Sequence, residues 1–237
     1  MPISFITLFA LGFSSPAYAE LRLPSHPLLA GRPSNLGYPR DGTRRGGGSR
    51  GELCELLPEM SPLTALMPDT ATWTGEETEE EVVFSLTEQS SPDIWVYVPY
   101  SLENPSQLRF TLKDADDNQL IRVQLDPQSP LPATPGIINI SLGELGINLL
   151  PEADYHWYVT VNCGEGPPIT VDGWLRHRVN RSEDDPSYGF FVDALSTQQA
   201  EDSPTAAWQE LLEAVGLSDI STAPIIDCCR FVEPSQN

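Results

Sequence analysis

Between positions 82 and 179 the apolar residues come in short runs, many alternating with polar residues. Seven runs stand out: Val82–Leu86, Ile94–Val98, Leu108–Lys113, Leu120–Leu125, Ile137–Leu142, Tyr155–Asn162 and Ile169–Val179. The third sets Leu108, Phe110 and Leu112 against Arg109, Thr111 and Lys113, the period of a half-buried strand. In the sixth, Trp157, Val159 and Val161 share one face, and His156, Tyr158 and Thr160 share the other. The first of these sets is the better candidate for core. Turn chemistry separates the runs: Ser91-Pro92-Asp93, Asn104-Pro105, Asp114 to Asn118, Pro135-Gly136, and Gly164 to Pro168. About seven short strands at this spacing predict a mainly β chain, specifically a β-sandwich of the immunoglobulin-like kind.

After residue 187 the period lengthens. Ser203-Pro204 reads as a helix start, with Ser203 as N-cap and Pro204 in the first helical position. Ala207, Trp208, Leu211, Leu212 and Val215 then make one stripe, and Gly216 supplies the stop. Tyr188–Thr197 reads as a second helix. One or two C-terminal helices are therefore expected to pack on the sandwich. Upstream, Leu56–Met67 is apolar and Pro-rich and reads as an edge segment, and Glu76–Glu81 as an acidic turn.

The first 19 residues read as a signal peptide: Ile3–Phe13 is an apolar run, and Ala17-Tyr18-Ala19 is a small-x-small cleavage site. The run is too short to span a bilayer, and no Lys or Arg precedes it. Residues 20–51 show no hydrophobic period and read as a flexible Gly/Pro/Arg-rich tail. Residues 52–230 then form a single β-rich domain, with 231–237 a disordered end.

Composition sharpens this picture. At 40% hydrophobic residues the chain can bury a core, and 23 Pro with 17 Gly suit short strands and frequent turns. Net charge is −21, unevenly spread. Residues 20–50 carry six Arg against two acids, whereas residues 51–237 carry seven cations against 32 acids. A body this acidic repels phosphate backbones, which argues against a nucleic-acid partner. The basic tail is a linker or an arm that adheres to an anionic surface or to the acidic body.

Four cysteines, Cys54, Cys163, Cys228 and Cys229, suit disulfides in an exported chain. Bridging the adjacent Cys228 and Cys229 is the least favoured pairing, because it distorts the peptide between them. The favoured scheme joins Cys54 to one of that pair and Cys163 to the other, each bridge contributing ~4 kcal/mol by loop closure. Without a Cys-x-x-Cys pair, and with three scattered His, no metal site is expected.

Tests for chemistry give no catalytic set and no cofactor. There is no nucleophile elbow, and the glycine run at 46–48 lacks the ending of a phosphate loop. Asp114 to Asn118 begins like a calcium loop, but Gln119 and Leu125 stand where glycine and glutamate are needed. A polar hairpin tip explains it better. His156 and His177 fall on successive strands without a secure common face. Aromatics remain: Trp95, Tyr97 and Tyr100 are either core or an open platform for a sugar or peptide. Trp174, on the side of Asp172 and Arg176, has the same ambiguity.

Several stretches in order carry a likeness: Gly46–Gly51, Leu63–Pro68, Trp95–Tyr100, Thr134–Ile137, Tyr155–Tyr158, Asp172–Trp174 and Asp227–Cys229. Together they resemble the cyanobacterial secreted proteins grouped as domain of unknown function 928, over roughly residues 45–230. Val96 departs from the aromatic usual at its position. The resemblance implies a cyanobacterial source and export, and it carries over no activity and no catalytic residue. The expectation is a non-catalytic periplasmic or cell-surface binding module for a protein or glycan partner. The alternatives are an unfamiliar hydrolase using carboxylates or a bound metal, and a structural envelope component.

Overall fold

The computed structural model describes residues 42–46, 60–69, 83–100, 102, 107–126, 134–164, 166–182, 189–199, 204–226 and 229–232. Residues 1–41, read above as a signal peptide and most of a tail, together with Cys54, Cys228, Tyr188 and Ser203, lie outside them.

The described chain is mainly β, with nine strands in two sheets. These are β1 (Thr64–Ala65), β2 (Phe84–Thr87), β3 (Asp93–Val98), β4 (Leu108–Asp114), β5 (Gln119–Leu125), β6 (Gly136–Ser141), β7 (Asp154–Val161), β8 (Ile169–His177) and β9 (Phe231–Val232). The smaller sheet has the order β1-β3-β6 and the larger β2-β8-β7-β4-β5-β9. Only β2 and β8 pair in parallel; the other neighbours are antiparallel. Seven of the strands match the seven apolar runs to within a few residues. The other two, β1 and β9, have two residues each and are too short to show a period.

The main core lies between the sheets. Ile94, Val96, Val98, Ile138 and Ile140 from the smaller sheet meet Leu108, Phe110, Leu112, Trp157, Val159, Val161, Val171 and Leu175 from the larger. Gly173 opposite Trp157 is required by this packing: a Cβ there would sit 2.9 Å from the Trp157 ring. Cys163 and Cys229 are buried in the same core, and no described cysteine is a free thiol.

Two helices complete the fold: α1 (Phe191–Gln198) and α2 (Ala206–Ala214), followed by a 3-10 turn at Ser218–Ile220. They cover the outer face of the smaller sheet. Phe191, Leu195, Trp208, Leu211, Leu212, Val215 and Ile220 pack there against Leu66, Trp95, Tyr97 and Ile137. This explains the unbroken apolar run of β3, which is buried on both faces.

Three expectations are corrected. Thr205 caps α2, its Oγ1 accepting from the Trp208 N–H at 3.1 Å, and Ala207 lies exposed off the buried stripe. Gly42 to Gly46 is not free tail. The Asp172 N–H donates to Thr43 O and the Thr43 N–H to Asp172 Oδ1, the Gly46 N–H donates to Leu63 O, and Arg44 is buried against Asp69 and the Val215 carbonyl. Phe231–Val232, placed in a disordered end, pairs instead with Leu125 and Gln124 on β5. In both segments, backbone groups complete a sheet edge that local sequence does not reveal.

Candidate functional site

The outward faces of β4 and β7 are half-buried where their inward faces are buried, and on β8 Thr170 and Trp174 are half-buried while Asp172 and Arg176 are buried. Register determines which side chains meet there. His156 stands opposite Trp174, Tyr158 opposite Asp172, Thr160 opposite Thr170, and Asp154 opposite Arg176. On the other side of β7, Lys113, Thr111 and Arg109 stand opposite His156, Tyr158 and Thr160. Arg122 on β5 is opposite Thr111, and Gln124 opposite Arg109.

The result is a row of rings crossing the sheet. Trp174 and His156 stack with centroids 4.1 Å apart and planes 19° apart. His156 and Tyr158 follow at 4.2 Å, tilted by 34°. Phe84, Leu86 and Phe190 support Trp174 from the β2 side. Beyond Tyr158, Lys113 Nζ lies 5.2 Å from the ring centroid, within cation–π range, and pairs with Asp117 at 2.6 Å. Lys113 is the only lysine in the chain.

A hydrogen-bonded chain holds the row in place. His156 Nε2 is 2.7 Å from Asp172 Oδ2, and Asp172 Oδ1 accepts the Thr43 N–H at 3.0 Å. A carboxylate only accepts, so Nε2 carries a proton. In the neutral ring Nδ1 then accepts from the Tyr158 hydroxyl, 2.8 Å away. Arg176 forks onto Asp154 at 2.5 and 2.6 Å at the end of the row. Burial, with Asp172 and Asp117 nearby, pushes the Tyr158 hydroxyl up against the opposing pull of Lys113. It therefore stays protonated at neutral pH. Asp172–His156–Tyr158 has the connectivity of a proton relay, but its end group is poor as a base or nucleophile. It suits rigid presentation of rings and hydroxyls.

Arg109 and Arg122 lie beyond this network. Neither forms an ion pair with a carboxylate among the described residues. Partial burial and the nearby Arg122 charge push Arg109 down.

Of the sequence candidates, Trp174 and His156 lie in this face, and Trp95, Tyr97, Tyr100 and His177 do not. Trp95 and Tyr97 are buried under the helices. Trp95 meets Trp208 edge-on with centroids 5.2 Å apart, and its Nε1 donates to Ser196 Oγ. Tyr100 is buried in the main core, and burial pushes up the hydroxyls of both Tyr97 and Tyr100. These three side chains fill core and offer no open platform. His177 is also inside, its Nδ1 3.1 Å from Leu149 O, away from His156. Asp114 to Asn118 is the β4–β5 hairpin tip, where Asp114 accepts from the backbone of Asp116 and Asn118. Sequence reasoning missed His156, Tyr158, Asp172, Lys113, Arg109 and Arg122 as a group. Period-two counting placed His156, Tyr158, Asp172, Lys113 and Arg109 on their strand faces, but the register between strands was the missing information.

Among the described residues no group of three or more His, Cys, Asp or Glu is placed to hold a metal ion. No helix among them is long and apolar enough to cross a membrane. A concavity of about 180 Å³ beside Cys229, Arg230 and Glu144 is smaller than most small-molecule sites.

A family model described as Domain of Unknown Function (DUF928) matches residues 45–185. That span includes β1 to β8 and all the outward side chains of the row, and it stops before both helices. No curated protein and no solved structure matches the chain. On this match, the two-sheet body with its aromatic face belongs to the DUF928 family, whose function is unknown.

Proposed function

We propose that this chain is a non-catalytic binding module of an exported kind, contacting a glycan or protein partner through the outward face of its larger sheet. One observation carries the reading: the Trp174–His156–Tyr158 row lies half-buried on the outward face, with the His156 side chain 12% exposed, and is fixed by stacking and by the hydrogen-bonded chain from Tyr158 through His156 to Asp172. Rings held this way lose little entropy on binding. Affinity electrophoresis through gels containing soluble polysaccharides, with a peptide array beside it, tests the idea. Trp174→Ala should lose the retained ligand with at least about a tenfold drop in affinity. Retention unchanged in that variant removes the row from the site.

The second reading is the hydrolase alternative, using carboxylates or a bound metal, for which the Asp172 carboxylate beside His156 is the one feature of this face. Blank results on ester, glycoside and peptide substrates would end it. Export is supported by Cys163 and Cys229 being buried and not free thiols. We extend the proposal to disulfides joining Cys54 and Cys163 to Cys228 and Cys229. Peptide mapping without reductant reads that pairing directly.

A further inference from the structure

We infer that the ligand of this face is an acidic polysaccharide, with the Trp174–His156–Tyr158 row taking sugar rings and Arg109 and Arg122 taking their carboxylates or sulfates. The inference rests on the binding-module reading and names its ligand class.

Charge is the first ground. Residues 51–237 hold 32 acids, ample to neutralise every cation. Arg44, Arg45, Arg176, Arg178 and Arg181 each take a carboxylate. Arg109 and Arg122 do not, although they are diagonal neighbours on one face, on the order of 7 Å apart at Cβ. Like charges at that spacing repel. Among the described residues no carboxylate pairs with either arginine, which suits an anion supplied from outside.

The surface between the rings and the arginines is the second ground. Thr111, Thr160, Thr170 and Gln124 fill it, and the Thr160 and Thr170 hydroxyls are 3.1 Å apart. These are uncharged donors and acceptors, matched to a ligand rich in hydroxyls. From Trp174 on β8 to Arg122 on β5 the face spans three strand spacings, about 14 Å. That exceeds one sugar ring, so an oligomer or polymer fits better than a monosaccharide. The acidic body repels a phosphate backbone and an acidic polysaccharide alike, so the stacked rings and the hydroxyl-matched surface, not charge, favour the glycan.

The test uses the full chain against immobilised polygalacturonate, dextran sulfate, neutral dextran, polyglutamate and oligothymidylate. Support is binding to polygalacturonate or dextran sulfate, the better of the two identifying carboxylate or sulfate. The double variant Arg109→Gln/Arg122→Gln should weaken it about tenfold, and neutral dextran should bind less tightly and unchanged. If that variant fails to fold, the unmodified chain must still lose affinity as salt rises from about 50 to about 200 mM. Neutral dextran binding as tightly, lost in Trp174→Ala and untouched by the arginine variant, overturns the acidic ligand and leaves the module reading intact. Equal binding of polyglutamate or oligothymidylate overturns the glycan class. Glycan binding that ignores both variants overturns the inference and the module reading together, as does failure of all five probes.

Discussion

Two aromatic faces in this molecule begin from the same kind of strand and end differently. Trp95 and Tyr97 point out from the smaller sheet, and Trp174 points out from the larger. The first pair is sealed under α1 and α2, whereas Trp174 stacks on a histidine at a half-open surface. An outward aromatic on a strand is therefore neither core nor site by itself. What separates the cases is what arrives later in the chain and what stands opposite. Trp95 receives Trp208, an apolar partner more than a hundred residues on. Trp174 receives His156, which brings Asp172 and Tyr158 with it.

Deleting the lid anchor should break the comparison most forcefully. Trp208 is fully buried, and its indole N–H has no hydrogen-bond partner among the described residues. Trp208→Ala should cost about 3–5 kcal/mol, read as a lowered denaturation midpoint. Trp208→Phe should cost much less, since it keeps a ring and removes an unsatisfied donor.

Asp193 on α1 pins the same lid. It accepts from the Thr87 hydroxyl at 2.6 Å and from the Glu88 N–H at 2.7 Å. Asp193→Ala strands both donors and should cost about 1–3 kcal/mol. Burial raises this carboxyl above its usual range, more than Thr87 and Glu88 N–H lower it. The folded state therefore holds the proton more tightly than the unfolded one. The corresponding stability is fully present below an unfolded pKa of about 3.9 and is lost as pH rises through the raised folded value. Asp193→Asn should flatten that fall, measurable by denaturant titrations across the acid range.

Trp174→Ala should cost about 1–2 kcal/mol, less than Trp208→Ala, because the ring is only partly buried where it rests on Phe84, Leu86 and Phe190. Its larger effect is expected on ligand affinity. A stability loss equal to that of Trp208→Ala would make the two faces alike and Trp174 ordinary core.

The strands were legible because alternation and turn residues are local. Leu108 to Lys113 can be read with no knowledge of its neighbours. The open face was not legible, since it depends on β7 lying between β4 and β8 in one register. A one-residue slip would put Trp157 where His156 stands. The helix cap was misread for a related reason. Ser203 and Thr205 both suit a cap, and only the packed position of α2 decides which N–H groups need one. Likewise Arg44 and Arg45 look like part of a basic tail until Asp69 and Asp219 are placed beside them.

The smallest expected effect comes from that last pair. Arg45 forks onto Asp219 at 2.7 and 2.8 Å, and Ser61 donates to the same carboxylate at 2.6 Å. These contacts hold the Asp219 carboxyl down at about 2, against the opposing effect of partial burial. Its stability contribution is present above an unfolded pKa of about 3.9 and is lost as pH falls through about 2. The slope has the opposite sign to that of Asp193. Both groups are substantially exposed to water and salt, so Arg45→Gln should cost less than about 1 kcal/mol, and less again at high salt. It should also reduce the acid-side loss of stability between about pH 4 and 2, which denaturant titration can measure. Arg45→Gln approaching the cost of Asp193→Ala would mean that the segment at Gly42 to Gly46 holds the lid as firmly as α1 does. The helices would then owe their place over Trp95 to this strap as well as to their own apolar stripes.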